Sequence, residues 1–169
     1  MKENLSQLLE SIYGNLIQIK SFEAIGGGRI NETQALKLSN GERVFLKSNS
    51  SAPKNFFTTE ADGLRLLGKS KNGPNVPRPL GISTESNPQF LLLEYIESSS
   101  PKVGFASRFG QALAEMHRET QEQYGLDYDN FIGKTVQKND LESDGLVFFR
   151  EHRIRFQQEL ARKTRGLPT

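Results

Sequence analysis

The 169-residue chain is 35% hydrophobic and 25% charged, with a formal net charge of +2, a balance ordinary for a globular domain long enough to bury a core. So small a charge gives no ground for a nucleic-acid or acidic-membrane partner, and the absence of cysteine excludes disulfides, thiolate zinc sites and cysteine nucleophiles. No segment approaches the roughly 18 consecutive apolar residues of a membrane span, and the first residues lack a signal peptide's apolar core, so a cytoplasmic protein is expected.

Leu5, Leu8, Leu9, Ile12 and Leu16 recur at three- and four-residue spacing and predict an amphipathic first helix. Ser21 to Ile25 reads as a short strand entering Gly26-Gly27-Gly28, and Ile30 to Leu38 as a second strand. Asn40-Gly41 is a hairpin signal, because both central residues of a two-residue turn favour positive φ. Val44 to Lys47 is the return strand.

Phe56, Phe57, Ala61, Leu64, Leu66 and Leu67 describe a helix with Glu60 near its start. Asn72 to Pro79 carries three prolines and a glycine, and can be neither helix interior nor central strand. Leu80–Thr84 and Phe90–Ile96 predict two more antiparallel strands; the unbroken apolar run Phe90 to Leu93 predicts burial on both faces.

Glu97 to Lys102 is the best linker candidate. Beyond it, Phe105, Phe109, Leu113, Met116 and His117 mark one helix face, with His117 expected as a satisfied core histidine. Tyr124 to Asn139 reads as a loop in which Asp129 and Asn130, like Gln137 and Asn139, either line a sugar site or cap the loop, capping being the favoured reading. Leu146 to Leu160 predicts a last long helix. With only two histidines, His117 and His152, a histidine-rich metal site is not expected.

The chemistry gathers around Gly26 to Lys47. A lysine in an apolar, strand-forming run packs its stem and aims its ammonium, and glycines let backbone approach a ligand; together they suit a polyphosphate. The competing reading is an ordinary meander with a surface lysine. Glu60, 13 residues after Lys47, could orient that ammonium. The strand ending at Glu94-Tyr95-Ile96 before a linker would offer backbone groups to an adenine.

In order along the chain, Gly26-Gly27-Gly28-Arg29-Ile30-Asn31, Val44 to Asn49, Phe57 to Leu64, Val76-Pro77, Leu92 to Ile96, Leu113 to His117, Asp129 to Gly133 and Phe148 to Arg153 resemble the fructosamine (ketosamine) kinases, of protein-kinase-like and aminoglycoside-phosphotransferase-like fold. The resemblance implies an α+β fold: a kinase-like N-terminal lobe of five antiparallel strands and helices over residues 1–96, a hinge at 97–104, and the first helices of an incomplete C-terminal lobe at 105–169. It implies ATP with magnesium as cofactors and phosphorylation of a hydroxyl on a sugar-derived amine, a deglycation repair. Lys47 would meet the α/β-phosphates, held by Glu60. Gly26, Gly27, Gly28, Arg29, Ile30 and Asn31 would lie over the phosphates, and Glu94, Tyr95 and Ile96 would read adenine.

The resembling family orients its acceptor from an H-G-D-x-W-x-x-N segment and holds magnesium there and in a later aspartate segment. Neither occurs among these 169 residues, and there is no tryptophan. The sequence therefore predicts no catalytic residue in this chain, no activity for it alone, and apolar helix faces that favour self-association. The alternatives are a non-catalytic, pseudokinase-like binding module, or a phosphotransferase of the aminoglycoside or choline type.

Overall fold

The computed structural model describes residues 2–14, 16–26 and 30–165. They fall into two compact units, residues 1–119 and 120–169, each taken by itself below.

The first unit is built on a five-stranded, wholly antiparallel sheet in the order β1-β2-β3-β5-β4. Its strands are β1 (Ile19–Ala24), β2 (Glu32–Leu38), β3 (Arg43–Asn49), β4 (Pro79–Ser83) and β5 (Gln89–Glu94). Helix α1 (Lys2–Tyr13) precedes the sheet, α2 (Phe56–Leu67) is inserted between β3 and β4, and α3 (Phe105–Met116) follows β5. The strand count, the antiparallel pairing and the inserted helix are those the sequence predicts.

The sheet buries one face under α1. Leu5 and Leu9 from the helix meet Leu36 and Leu38 of β2, Val44 and Leu46 of β3, and Phe90 and Leu92 of β5. These strand residues are two apart, so the alternation of side chains puts all of them on one side. Gly14, at φ 90°, ends α1, its N–H returning to Glu10 O, as a left-handed residue after a helix does. At Gly81 the helix comes close: a β-carbon there would stand 2.7 Å from Leu8 Cδ1. The other face takes α2, whose Phe57 and Ala61 are fully buried, as are Leu91 and Leu93 on that side.

Several expectations need correction. The Asn40-Gly41 turn spans three residues, with Leu38 N–H donating to Glu42 O; only Gly41 has positive φ. Asn40 instead turns its side-chain oxygen to Glu42 N–H at 3.0 Å, a local bond that holds the tighter turn's alternative. The 124–139 stretch is not all loop: β6 (Asn130–Ile132) and β7 (Thr135–Gln137) form a small hairpin across Gly133, which has φ 63°. The last helical stretch is α4 (Gly145–Phe148), a seven-residue π-helical turn (Phe149–Arg155) and α5 (Phe156–Arg165). Asp144 caps its start, accepting from Leu146 and Val147 N–H.

His117 is not a core residue. It is exposed at the C-terminal end of α3, and no residue of that helix is buried. The apolar stripe Phe105, Phe109 and Leu113 that makes this helix recognisable is itself 37–50% exposed, so there is no core on that face for the imidazole to join.

The two-sided sheet predicts where truncation hurts most. Leu46→Ala should lower the unfolding free energy by about 2–5 kcal/mol, the range for emptying a fully buried leucine site. The check is a urea titration, with the midpoint shifted and the slope unchanged.

Candidate functional site

The period of two that sends Val44 and Leu46 into the α1 core sends Arg43, Phe45, Lys47 and Asn49 to the opposite face. Helix α2 lies on that face, and Lys47 Nζ donates to Glu60 Oε1. Both side chains are about three-quarters covered, 21% and 27% exposed. Thr33 stands opposite Lys47 on β2 and Leu91 opposite it on β5, so the lysine stem rests in the middle of the sheet.

Near one end of β3 lie the segments that flank the glycine run. Ile25 and Thr33 are joined there by a backbone bond of 3.0 Å and by the Thr33 hydroxyl donating to Ile25 O at 2.6 Å. Gly26 lies just inside. Its φ is not left-handed and a β-carbon on it would meet nothing within 4 Å, so nothing among the described residues demands glycine there. Gly27, Gly28 and Arg29 lie outside the described residues. Ile30 and Asn31 return to β2, and both are bound by Asn49: its Nδ2 donates to Ile30 O at 3.2 Å and to Asn31 Oδ1 at 2.9 Å.

At the other end, the β5 ladder stops at Glu94, whose N–H donates to Arg78 O. Tyr95 and Ile96 leave the sheet as extended chain, and Ile96 is half-exposed. Arg43 holds this exit. Its Nη1 donates to both oxygens of Glu97 at 3.0 and 3.1 Å, its Nη2 donates to Glu23 at 3.0 Å, and the guanidinium lies 3.9 Å over the Tyr95 ring. Burial pulls the Arg43 pKa down, but the Glu97 hydrogen bond and charge, with Tyr95 and Glu23, outweigh it and leave it raised. A planar cation stacked on an aromatic ring while two of its nitrogens serve two different carboxylates is a contact lysine could not reproduce.

All described members of the predicted set thus border one sheet face or its two ends. Arg43 and Asn49 were not in that set. The signal for them was their position: both lie an even number of residues from Lys47.

The second unit has its own polar cluster. Asn139, 2% exposed, donates to Tyr128 O and Asn130 Oδ1 and accepts from Arg153 at 2.7 Å. Asp129 pairs with Lys138 and accepts from Asn139 N–H. Asn130 and Gln137 face each other across the hairpin. Arg153 also donates to Lys138 O and lies over the Phe148 ring, and burial lowers its pKa. Here Asp129 and Asn130 spend their polar groups inside the loop. Among the described residues, no group of three or more His, Cys, Asp or Glu side chains could hold a metal ion, and no helix is long and apolar enough to cross a membrane.

The family model for fructosamine kinase matches residues 1–167. A Pasteurella multocida protein named as a probable ketoamine kinase is 34% identical over 167 residues, covering 96% of this chain and 57% of its own length. The chloroplastic protein-ribulosamine 3-kinase of Oryza sativa subsp. indica is 35% identical over 150 residues, 87% of this chain and 43% of that protein. A crystal structure from Haemophilus somnus 129PT, assigned as a fructosamine-3-kinase, superposes with a TM-score of 0.86 at 32% identity, over 98% of this chain and 56% of that one. The chain thus spans about half the length of the relatives it matches. With a family model matched almost end to end and a fold shared at that identity, the chain belongs to the fructosamine kinase family.

Proposed function

We propose that this chain is the nucleotide-holding part of an ATP-dependent kinase that phosphorylates a hydroxyl of a sugar-derived amine, the chemistry of protein deglycation. The observation that carries the reading is the Lys47–Glu60 pair on the β3 face that α1 does not cover. In kinases generally, a strand lysine held by a helix glutamate is the arrangement that meets the nucleotide phosphates. An ammonium has three N–H donors; Glu60 takes one and leaves the others for phosphate oxygens.

The residues present fit a nucleotide. Gly26, with open space where a β-carbon would stand, lets backbone N–H groups approach phosphate, as a nest of amides does. The Tyr95 and Ile96 backbone, out of the ladder but steadied through Arg43, is disposed to read adenine. In this reading residues 1–96 form the N-terminal lobe, 97–104 the hinge and 105–169 the first helices of the second lobe. Bound ATP would supply the phosphoryl group; what these residues do is grip and orient it. The described residues assemble no cluster for magnesium, and the 169 residues contain no H-G-D-x-W-x-x-N segment to orient an acceptor. We place the protein in the cytoplasm, on its cysteine-free composition.

The same facts support a second reading, a binding module that holds nucleotide without transferring phosphate. Phe105 and Phe109 on α3 stack at 5.9 Å yet stay half-exposed, and Leu146 and Phe149 are 81% and 58% exposed. Apolar faces of this kind favour self-association.

Three measurements test these readings. Lys47→Ala should weaken binding of a non-hydrolysable ATP analogue by about tenfold to a hundredfold, the worth of one or two charge-assisted hydrogen bonds; equal calorimetric affinity in wild type and variant would remove the clamp. The 169-residue chain should give no phosphorylation of a fructosamine with ATP and magnesium, and measurable turnover would overturn its proposed inactivity. Light scattering should find a mass that rises with concentration, where a monomer at all concentrations would refute self-association.

A further inference from the structure

Among the described residues, Asn49 is the β3 side chain that hydrogen-bonds Ile30 and Asn31, just before β2. It ends β3, where its own pairing is with Gln89 of β5. On the β2 side the ladder's last pair among the described residues is Glu32 with Ser48. Beyond that pair the Asn49 amide donates to Ile30 O and Asn31 Oδ1. Its oxygen accepts from Ser51 N–H at 2.8 Å and from the Ser51 hydroxyl at 3.2 Å.

An asparagine amide offers two donors and one oxygen with two acceptor sites. All four are used, and the residue is only 7% exposed. The two backbone partners also fix which end is which. Ile30 O can only accept and Ser51 N–H can only donate, so the nitrogen must face Ile30 and the oxygen must face Ser51. No other side chain of similar size can make both bonds at once: aspartate has no donor, and leucine has neither group.

Lys47 and Asn49 share one face of one strand, two residues apart. The lysine is fixed on one side by Glu60, and Ile30 and Asn31 are fixed to the same strand by Asn49. We propose that Asn49 is a positioning residue that sets Ile30 and Asn31, at the entry to β2, relative to the Lys47 ammonium, so that both meet the same polyphosphate. This rests on the phosphate-clamp reading above. Asn49 itself need not touch nucleotide. Its effect should therefore appear in the phosphate-dependent part of the affinity and not in the part carried by adenine and ribose.

The test compares wild type, Asn49→Leu, Asn49→Asp, Ser51→Ala and Lys47→Ala in the 169-residue chain, with a non-hydrolysable ATP analogue and adenosine as calorimetric probes. Leucine removes all four bonds without adding charge. Aspartate keeps the Ser51 bonds and sets an oxygen against Ile30 O and Asn31 Oδ1. Both should bind the ATP analogue about tenfold more weakly, on the scale of a lost hydrogen-bond pair, with adenosine binding unchanged. Ser51→Ala, which leaves the Ile30 and Asn31 bonds in place, should bind both probes as wild type does. Repeating Asn49→Asp at high salt screens its added charge, so that variant carries the test even where Asn49→Leu does not fold.

Wild-type affinity for the ATP analogue in both Asn49 variants, beside a loss in Lys47→Ala, overturns the inference and leaves the clamp standing. A parallel loss of ATP-analogue and adenosine binding makes Asn49 a general structural residue and also overturns it. If wild type and Lys47→Ala bind the ATP analogue equally, the clamp itself fails and the inference goes with it.

Discussion

The constraint on which the first unit depends is the alternation along β3. Seven residues must give one face to the α1 core and the other to polar partners from other elements. Val44 and Leu46 are 1% exposed among the leucines of α1 and β2. Arg43, Lys47 and Asn49 point the other way and reach, respectively, the exit of β5, helix α2 and the Ile30–Asn31 approach to β2. The strand is central, paired with β2 and β5, so its register is fixed from both sides. Polar side chains can stand on its second face because each has a partner supplied by a different element, and buried polar groups without partners would cost too much to keep.

The Lys47–Glu60 pair is a poor candidate for a stability device. Two charges three-quarters covered give up much of their hydration, and the attraction between them repays that only in part. Its arrangement makes more sense as orientation. Glu60 sits in the second turn of α2, a helix whose Phe57 and Ala61 are fixed in the sheet. The carboxylate therefore has little freedom, and it confines an ammonium on a long stem. Arg43 is organised in the same manner with a larger partner set, one nitrogen to Glu97, another to Glu23 and its face to Tyr95.

Most of this sheet was legible in the sequence because its signals are local. The leucine spacing of α1, the apolar run of β5 and the prolines before β4 each dictate an element without reference to anything distant. Lys47 and Glu60 were legible as a pair because only one loop separates them. Arg43 and Asn49 were not, since their partners lie 54 and 18–19 residues away and nothing in either residue announces a long-range bond. His117 failed for a related reason. A periodic apolar stripe shows that a face is apolar, not that anything covers it, and on α3 the stripe stays in contact with solvent. The β6–β7 hairpin went unread because three-residue strands carry almost no periodicity; Gly133 between Phe131-Ile132 and Thr135-Val136 was the available cue.

The π-helical turn between α4 and α5 has a consequence for how the chain tolerates changes of length. A π turn closes i to i+5 hydrogen bonds and so holds an extra residue where an α-helix would not. One residue deleted from 149–155 can be absorbed by tightening that turn into α-helix, with the flanking helices re-phased but intact. Strand β3 has no such reserve. One residue added or lost between Arg43 and Asn49 exchanges the faces of every side chain beyond it, sending leucine toward solvent and lysine toward the α1 core. The two stretches are of equal length, seven residues each, yet one has slack for the loss of a residue and the other has none.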